Sequence, residues 1–410
     1  MQRKRIPIEQ LHLGMYVHEL CGSWMDHPFW HNAFLLDNPK DLQSILATGI
    51  REVWIDTSKG LDTEGGVAEE TITEKVEATL TQVDKYNIKE QHIDTAQEAI
   101  RAVSICGKSK QAVTDMFHEA RMGKALDAQD ALPIVEEISM SIQRNPGALI
   151  GLARLKNKDN YTYMHSVAVC ALMVSLSRTL GLDNDQLHQA GMAGLLHDVG
   201  KMMIPMEILN KPGRLTDIEF STVKNHPAEG HKLLLKGSGI GDVVLDVCLH
   251  HHEKINGGGY PDKLSDLQIS QFAKMGAVCD VYDAITSDRP YKKGWEPAEA
   301  IRKMAEWRHG HFDHKIFEAF VRSVGIYPVG SMVKLESGHL GVVVEQTAKS
   351  LLTPKVKVFF SIKSNARIFP EILDLSLPHC RDKIVSHEDP VKWDIPDILE
   401  LWSGLSATIW

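Results

Sequence analysis

The chain has 410 residues, which is enough for two or three domains that each bury a sizeable core. Hydrophobic residues make up 43% and charged residues 24% of it, the ordinary composition of a soluble globular protein. The formal net charge of −9 excludes broad binding to a nucleic acid polymer, which needs a basic surface, although a local group of cations can still bind a small anion.

The sequence favours a cytoplasmic protein without membrane insertion. The basic residues at the N-terminus are not followed by the core of a signal peptide, and no apolar run approaches the length of a membrane span. The six cysteines are scattered and form no CxxC pair, so we expect them to be reduced thiols, mostly in the core.

Residues 1–70 are predicted to form a small α/β module. Residues 15–17 and 52–56 have the composition of short strands, and a helix between them is predicted to start at Asn38-Pro39 and to end at Gly49. A group of histidines and aromatic residues is predicted to pack as a small aromatic core rather than to carry chemistry. This group consists of His27, His31, Trp24, Phe29 and Trp30.

Residues 71–145 are predicted to form a helical linker region. Thr95-x-x-Glu98 has the pattern of a capping box at the start of a long helix that ends near Gly123. The next helix carries an apolar stripe, for which we prefer packing in the core of the chain over a dimer surface. The stripe consists of Ile134, Val135, Ile138 and Ile142.

The fold class predicted for the whole chain is α+β multidomain. Residues 146–328 contain successive helical segments and nearly no strand signal, so they are predicted to form an all-α domain, with a capping box at Thr216-x-x-Glu219. Residues 329–410 are predicted to form a short β-rich appendage and tail, with strand signals at 332–335, 341–344 and 356–360.

The strongest signal for chemistry is a set of histidines and aspartates at or near the ends of predicted helices. Imidazole nitrogens and carboxylate oxygens are ligands of first-row metals, and a carboxylate can bridge two ions. A single histidine at a helix end is more often a cap or a surface residue, but the joint occurrence favours a metal site. Two such ions can activate a bridging hydroxide and clamp a phosphoryl group during in-line displacement. The candidate ligands are His165, His197, Asp198, His226, His251, His252 and Asp280.

A glycine-rich stretch follows these histidines. Residues 257–259 are all glycine, which allows the backbone to approach a ligand closely, and Tyr260-Pro261 fixes the exit of the loop. A flexible surface turn is the alternative interpretation. The position directly after His251-His252 favours a place at the edge of the metal site.

The order of these motifs resembles the HD-GYP domain, a subgroup of the HD phosphohydrolase superfamily. The resemblance runs from about Ala148 to Pro328. The N-terminal segment resembles, through Ile8-x-x-Leu11-x-x-Gly14-Met15-Tyr16-Val17, the domain of unknown function that often precedes HD-GYP domains. The motifs that carry the HD-GYP resemblance are His-Asp-x-Gly-Lys at 197–201, His-Pro at 226–227, His-His-Glu at 251–253, Gly-Tyr-Pro at 259–261 and Asp-x-Tyr-Asp-Ala at 280–284.

The resemblance implies a metal-dependent phosphodiesterase that hydrolyses cyclic di-GMP to linear pGpG or on to GMP. It implies two divalent metal ions, iron or manganese, held by the candidate ligands with Asp198 as the bridge. Family members that hold three metals carry a glutamate where this chain has Tyr161, which favours two ions and leaves the role of His165 open. The aligned histidine pair is His251-His252, so His250 is an additional histidine, and Asn256 replaces the usual aspartate of the loop.

Several residues are expected to contact the substrate. Lys201 lies beside the metal ligands and is expected to neutralise charge on the reacting phosphate, so Asp198 and Lys201 are the predicted catalytic residues. The resemblance implies phosphate and guanine contacts by the stretch with Arg289 and Lys292, in which arginine suits bidentate recognition and lysine acts as a point charge. The remaining predicted substrate contacts are Gly259, Tyr260 and Pro261.

Two other functions remain as alternatives. The first is a phosphohydrolase for another nucleotide, against which the intact Gly-Tyr-Pro motif counts. The second is a non-catalytic cyclic di-GMP receptor or protein-interaction module, which would be indicated by missing ligands. The N-terminal module is expected to be regulatory, and the sequence leaves open a homodimer and a signalling-protein partner.

Overall fold

A computed structural model shows a small N-terminal sheet, a helical body and a C-terminal sheet. The structure describes residues 3–22, 33–48, 50–84, 93–155, 161–209, 211, 215–287, 294–347 and 349–406, apart from the side chains of residues 161 and 309. The aromatic group around His27 and His31 lies outside the described residues, as do Gly49, Arg289 and Lys292.

The N-terminal sheet has five antiparallel strands in the order β3-β2-β4-β1-β5. The predicted strands at 15–17 and 52–56 are confirmed, and Asn38 caps the predicted helix by accepting a hydrogen bond from the Lys40 backbone amide at 3.0 Å. Most of its apolar side chains form a core of their own, whereas Trp54 of β4 packs in the core of the helical body. The elements are β1 Arg3–Pro7, β2 Tyr16–Leu20, β3 Phe34–Leu35, α1 Pro39–Leu46, β4 Glu52–Asp56 and β5 Val67–Ala68.

The helical body runs from residue 69 to residue 324. The described residues between 150 and 325 contain no strand, so the prediction of an all-α region there is confirmed. Its helices are α2 Glu69–Val83, α3 Thr95–Arg121, α4 Ala128–Arg144, α5 Pro146–Ala153, α6 Tyr161–Leu180, α7 Asn184–Leu196, α8 Met206–Leu209, α9 Asp217–Val223, α10 His226–Leu234, α11 Asp242–His250, α12 Gln271–Thr286, α13 Pro297–His311 and α14 His314–Val324.

Helix α6 corrects one expectation from the sequence. Its residues Thr162–Leu180 are long and apolar enough to cross a membrane, contrary to the expectation that no run approaches that length. In the structure, 78% of this stretch is buried, and α6 packs against α7, α12 and α14. The apolar composition of α6 is therefore explained by its place in the middle of the helical body, since a helix that is apolar all round must be covered all round.

The two predicted capping boxes had different outcomes. Thr216 caps α9 through a capping box with Glu219, as predicted. The prediction for Thr95 was wrong, because Asp94 is the residue whose side chain accepts from the first backbone amides of α3. Thr95 and Glu98 are instead buried, and their side chains accept hydrogen bonds from Asn145 and Arg144.

One continuous core extends through the whole helical body. It includes the apolar stripe of α4, which is buried within the chain as we preferred from the sequence, and it continues into the C-terminal sheet. Helices α3 and α4 therefore pack as part of the body that also contains α5 to α14. The exact division at residues 70, 145 and 328 stays a prediction.

The C-terminal sheet has five strands in the order β10-β6-β7-β8-β9. The three predicted strand segments are confirmed in β6, β7 and β8, with a turn at Gly338 that has a φ of +82°. Strands β9 and β10 had no clear signal, because β9 is exposed along most of its length and shows no alternation of apolar residues. The elements are β6 Met332–Leu335, β7 His339–Glu345, β8 Lys355–Ser361, β9 Ala366–Asp374, β10 Ile384–His387 and α15 Ile398–Ser403.

Candidate metal centre

Five helices of the helical body contribute side chains to one buried cluster of histidines and aspartates. The N-terminal parts of α6 and α10, the C-terminal ends of α7 and α11, and the middle of α12 supply them. All seven ligands predicted from the sequence lie in this cluster and are at most 7% exposed. They are His165, His197, Asp198, His226, His251, His252 and Asp280.

The histidine rings are oriented by the backbone that carries them. The Nδ1 atoms of His197, His226 and His251 lie 2.8, 2.7 and 3.0 Å from the carbonyl oxygens of Gly194, Val223 and Val247. A carbonyl oxygen only accepts hydrogen bonds, so each Nδ1 carries the hydrogen in the neutral ring. The Nε2 lone pair of each ring is then directed into the cluster, which is the arrangement of metal-binding histidines.

The Nε2 atoms of three histidines lie close together. The Nε2 atom of His226 lies 3.3 Å from Nε2 of His251 and 3.2 Å from Nε2 of His252. Lone pairs at such distances repel one another unless a cation or a proton lies between them. These three residues form one group able to hold a metal ion, and His165, His197 and Asp280 form a second. A third such group, His197, Asp198 and His251, shares a residue with each of these two.

Asp198 lies between the two groups. Its Oδ1 atom is 3.2 Å from Nε2 of His226, whereas its Oδ2 atom is 3.3 Å from Nε2 of His165 and 3.4 Å from Nε2 of His197. The two oxygens of one carboxylate thus face different sets of nitrogen ligands. This is the placement required of a carboxylate that bridges two ions.

The charges of the cluster indicate that it is built around cations. Burial alone would raise the pKa of Asp198 and Asp280, but neighbouring imidazoles, together with Lys201 for Asp198, hold the pKa of each well below its usual range. Burial lowers the pKa of His197, but Asp198 and Asp280 outweigh it and raise that pKa to about 10. Burial, with nearby imidazoles, lowers the pKa of His251 to about 3. Without metal, protons on some of the imidazoles balance the two carboxylates, and a metal ion would displace them.

The residues present fit a metal site by a further test. Within the described residues, His197 Nε2, Asp198 Oδ1 and Asp280 Oδ2 are buried and make no hydrogen bond. Buried polar atoms without partners are costly, so such atoms in one place indicate a ligand that satisfies them. The mixed nitrogen and oxygen donors suit a divalent first-row metal.

Asp283 is a site residue whose role the sequence did not reveal, although it belongs to the Asp-x-Tyr-Asp-Ala motif. Its Oδ2 atom lies 2.6 Å from Nδ1 of His165, and Nε2 of the same ring lies 2.9 Å from Oδ1 of Asp280. Asp283 therefore fixes the ring orientation of His165, as carboxylates behind metal-binding histidines do. The available signal was its position one helical turn after Asp280, which places both carboxylates on one face of α12.

Gly200 explains why the His-Asp pair is followed by a glycine. A Cβ atom at this position would lie 1.9 Å from the carbonyl oxygen of His226 and 2.4 Å from the backbone nitrogen of Gly230. The turn at Val199–Met203 consequently lies directly against the backbone of α10. This contact brings His226 to the pair His197-Asp198.

The glycine-rich loop lies at the edge of the cluster. A Cβ atom at Gly259 would lie 2.5 Å from Cα of Glu253, so glycine is required where the loop returns to the end of α11. The ring of Tyr260 stacks on His252 with 4.7 Å between ring centroids, and the Tyr260-Pro261 peptide bond is cis. Lys201 forms an ion pair with Asp198. The substrate contacts of these residues, and those of Arg289 and Lys292, stay predictions.

The fold and the buried His-Asp cluster define an HD-domain protein, and comparison with known sequences agrees. The sequence pattern of the HD domain matches residues 138–316, and that of a domain of unknown function, DUF3391, matches residues 3–131. A cyclic di-GMP phosphodiesterase of Pseudomonas aeruginosa is 53% identical over 99% of this chain and 97% of its own length. The chain belongs to the HD-GYP family, in the group with an N-terminal DUF3391 domain, which confirms the resemblance.

Other relatives match less than half of the chain. A cyclic di-GMP phosphodiesterase response regulator of Xanthomonas campestris is 38% identical over 47% of this chain and 53% of its own length. A 3'3'-cGAMP-specific phosphodiesterase of Vibrio cholerae is 33% identical over 40% of this chain and 38% of its own length. Proteins with different named substrates are therefore similar to this chain.

Proposed function

We propose that this protein is a metal-dependent phosphodiesterase that hydrolyses cyclic di-GMP to pGpG, GMP or both. The observation that carries the proposal is the placement of Asp198 between two groups of metal-binding side chains. The nearly full-length relative from P. aeruginosa, which is named for this activity, supports the choice of substrate.

Two divalent ions, iron or manganese, are the proposed cofactors. One would be held by His226, His251 and His252, the other by the group with His165, His197 and Asp280, and both by Asp198. When bound, such ions polarise a phosphoryl oxygen and lower the pKa of a coordinated water. Mixed nitrogen and oxygen ligands are accepted by both metals, so the choice between them rests on measurement.

The protein itself would supply charge and orientation. The Lys201 side chain is 16% exposed and ion-paired with Asp198, so its ammonium group lies where a phosphodiester would approach the cluster. It would neutralise the negative charge that develops on the phosphate. Tyr260 would line the edge of the site beside His252, and Arg289 and Lys292 would bind the second phosphate or a guanine base.

A non-catalytic receptor is not favoured, because every predicted ligand is present and buried in one cluster. A different cyclic dinucleotide is a sharper alternative, since a relative from V. cholerae is specific for 3'3'-cGAMP. The identity over nearly the whole chain with the P. aeruginosa enzyme favours cyclic di-GMP.

The test is a product assay on the full-length protein purified without air and loaded with iron or manganese. We expect metal-dependent conversion of cyclic di-GMP to pGpG or GMP and slower conversion of 3'3'-cGAMP. Chromatography of the products measures both rates. Faster hydrolysis of 3'3'-cGAMP would show that 3'3'-cGAMP, and not cyclic di-GMP, is the preferred substrate. A metal-loaded protein that hydrolyses neither nucleotide would overturn the proposal.

Asp198→Ala is the matched variant for this assay. Because the substitution removes a ligand that faces both groups, we predict that metal content and turnover are lost together. Metal analysis and the product assay on the same preparation check this. An Asp198→Ala protein with normal metal content and normal turnover would contradict the site assignment.

We also propose a cytoplasmic protein whose N-terminal sheet regulates the helical body. The six cysteines are present as thiols, which suits a reducing compartment. A homodimer and a signalling-protein partner remain proposals that size measurements and binding assays can test.

A further inference from the structure

His250 precedes the two histidines of the metal cluster and makes contacts of a different kind. Its Nδ1 atom lies 2.7 Å from Oδ1 of Asp246, and its Nε2 atom lies 3.1 Å from Oδ2 of Asp262. Asp246 is on α11, whereas Asp262 follows the Tyr260-Pro261 pair of the loop. His250 thus connects the helix that bears the metal ligands to the loop beside them.

We propose that His250 is a positioning residue that holds the loop of residues 254–264 against the end of α11 for substrate binding, an inference that rests on the proposed function. The helix side of this connection is anchored further, because the second oxygen of Asp246 accepts a hydrogen bond from the hydroxyl of Ser270, the N-cap residue of α12. Both partners of the His250 ring are carboxylates, and hydrogen bonds to charged groups are the stronger kind.

The loop side is held at the same residue by a second contact. The backbone amide of Asp262 donates a 2.7 Å hydrogen bond to Oε1 of Glu253, which directly follows His252. The backbone amide of Tyr260 donates to the carbonyl oxygen of His252 at 3.3 Å. Fixing Asp262 therefore fixes the Tyr260 ring in its stack on His252, two residues earlier in the loop.

The small contribution of the contact between His250 and Asp262 to stability distinguishes a positioning role from a purely structural one. The Asp262 side chain is 52% exposed, and ion pairs at exposed positions contribute little to global stability. Loss of the contact should leave the fold intact and free the loop. Because the metal ligands are held by other bonds, the expected effect falls on substrate binding rather than on metal binding.

The kinetic test uses full-length, metal-loaded protein with His250→Phe, Asp262→Asn and the double variant. We expect the KM for cyclic di-GMP to rise about tenfold in each single variant, the effect of losing the contact between His250 and the charged Asp262, with kcat and metal content nearly unchanged. The double variant should be no worse than His250→Phe, because that substitution already removes the contact with Asp262.

Asp266→Asn is the matched control. Asp266 lies in the same segment of the chain but pairs with Lys274 at 3.0 Å, away from Tyr260. We expect its KM to match that of the unmodified protein. An unchanged KM in His250→Phe, additive effects in the double variant, or loss of metal from His250→Phe would each overturn the proposal.

Hydrogen exchange gives a readout that does not depend on turnover. In the protein without nucleotide, amides in residues 254–264 should exchange faster in His250→Phe and Asp262→Asn than in Asp266→Asn. Unchanged exchange in the first two variants would contradict the positioning role. If the unmodified protein hydrolyses no cyclic di-GMP, the proposed function fails, whereas the exchange result still decides whether His250 holds the loop.

Discussion

At the scale of single residues, Lys201 can be separated from the metal ligands that surround it. It forms an ion pair with Asp198, and an ammonium group has no lone pair with which to bind a metal ion. We predict that Lys201→Ala keeps its metal and lowers kcat about 100-fold, the usual cost of removing one group that stabilises developing charge. Metal analysis and steady-state kinetics check this. Loss of metal from Lys201→Ala would show that its role is to support Asp198.

Gly200 gives a second prediction at this scale. Because a Cβ atom there would lie 1.9 Å from the His226 carbonyl oxygen, Gly200→Ala must push the turn away from α10. We expect a loss of about 1–3 kcal/mol in the free energy of unfolding, as for other overpacked sites, together with weaker metal binding. Urea unfolding and metal titration measure the two effects.

Gly107 is the control for this substitution. It lies within α3, and a Cβ atom there would meet nothing within 4 Å. Gly107→Ala should therefore stabilise the protein by up to about 1 kcal/mol through its helix propensity. A Gly200→Ala protein as stable as Gly107→Ala would contradict the close contact between the turn and α10.

At the scale of elements, Glu98 joins α3 to α4. It accepts hydrogen bonds from Arg144 Nε at 2.7 Å and from Ser141 Oγ at 2.7 Å. Burial raises the pKa of Glu98, but Arg144 and Ser141 outweigh burial, so the pKa in the folded chain lies below its usual value. A carboxylate that is more acidic when folded stabilises the protein fully above its unfolded pKa of about 4.3 and loses this effect as the pH falls through the folded value.

Glu98→Gln tests this linkage. We predict that the variant is less stable than the unmodified protein by about 1–3 kcal/mol at pH 7, since Arg144 loses its charged partner. The difference should shrink as the pH falls below about 4, because the unmodified carboxyl group is then protonated too. Urea unfolding of both proteins across this range is the measurement. A difference that does not change with pH would mean that the carboxylate charge is not what joins the helices.

The elements also show which parts of the structure could be predicted from the sequence. Long helices and the metal ligands could be predicted, because helical periodicity is local and the ligands lie within short motifs. The role of Asp283 could not be predicted, because it depends on a contact with Nδ1 of His165, which is far away in the sequence. Strand β1 was not predicted, because its charged residues resemble a basic tail in the sequence. In the structure, Arg3 forms an ion pair with Glu69 and Lys4 forms one with Asp62.

At the scale of the whole molecule, α13 connects the three parts of the fold. Lys303 Nζ lies 2.9 Å from Oε2 of Glu19 on β2, and Glu299 Oε2 lies 2.7 Å from Nε2 of His387 on β10. At the end of α13, the carbonyl oxygen of Gly310 accepts a 3.2 Å hydrogen bond from the backbone amide of Asn256 in the glycine-rich loop. Helix α13 therefore contacts both the N-terminal sheet and the loop at the edge of the metal centre, and Arg51 also contacts that loop directly.

Lys303→Met tests the connection to the N-terminal sheet. The half-buried Lys303 lies between Glu19 and Glu306. Burial lowers the pKa of Lys303, but the two carboxylates raise it by more, so the side chain is charged in the folded protein. Removing the ammonium group leaves two carboxylates without their shared cation, and we predict a loss of about 1–3 kcal/mol. Calorimetry should show the N-terminal sheet unfolding before the helical body.

Lys315→Met, at an exposed position on α14, is the control and should change stability by less than about 0.5 kcal/mol. If both variants unfold alike, the Lys303 ion pairs do not hold the N-terminal sheet to α13, and regulation through this helix would need another contact.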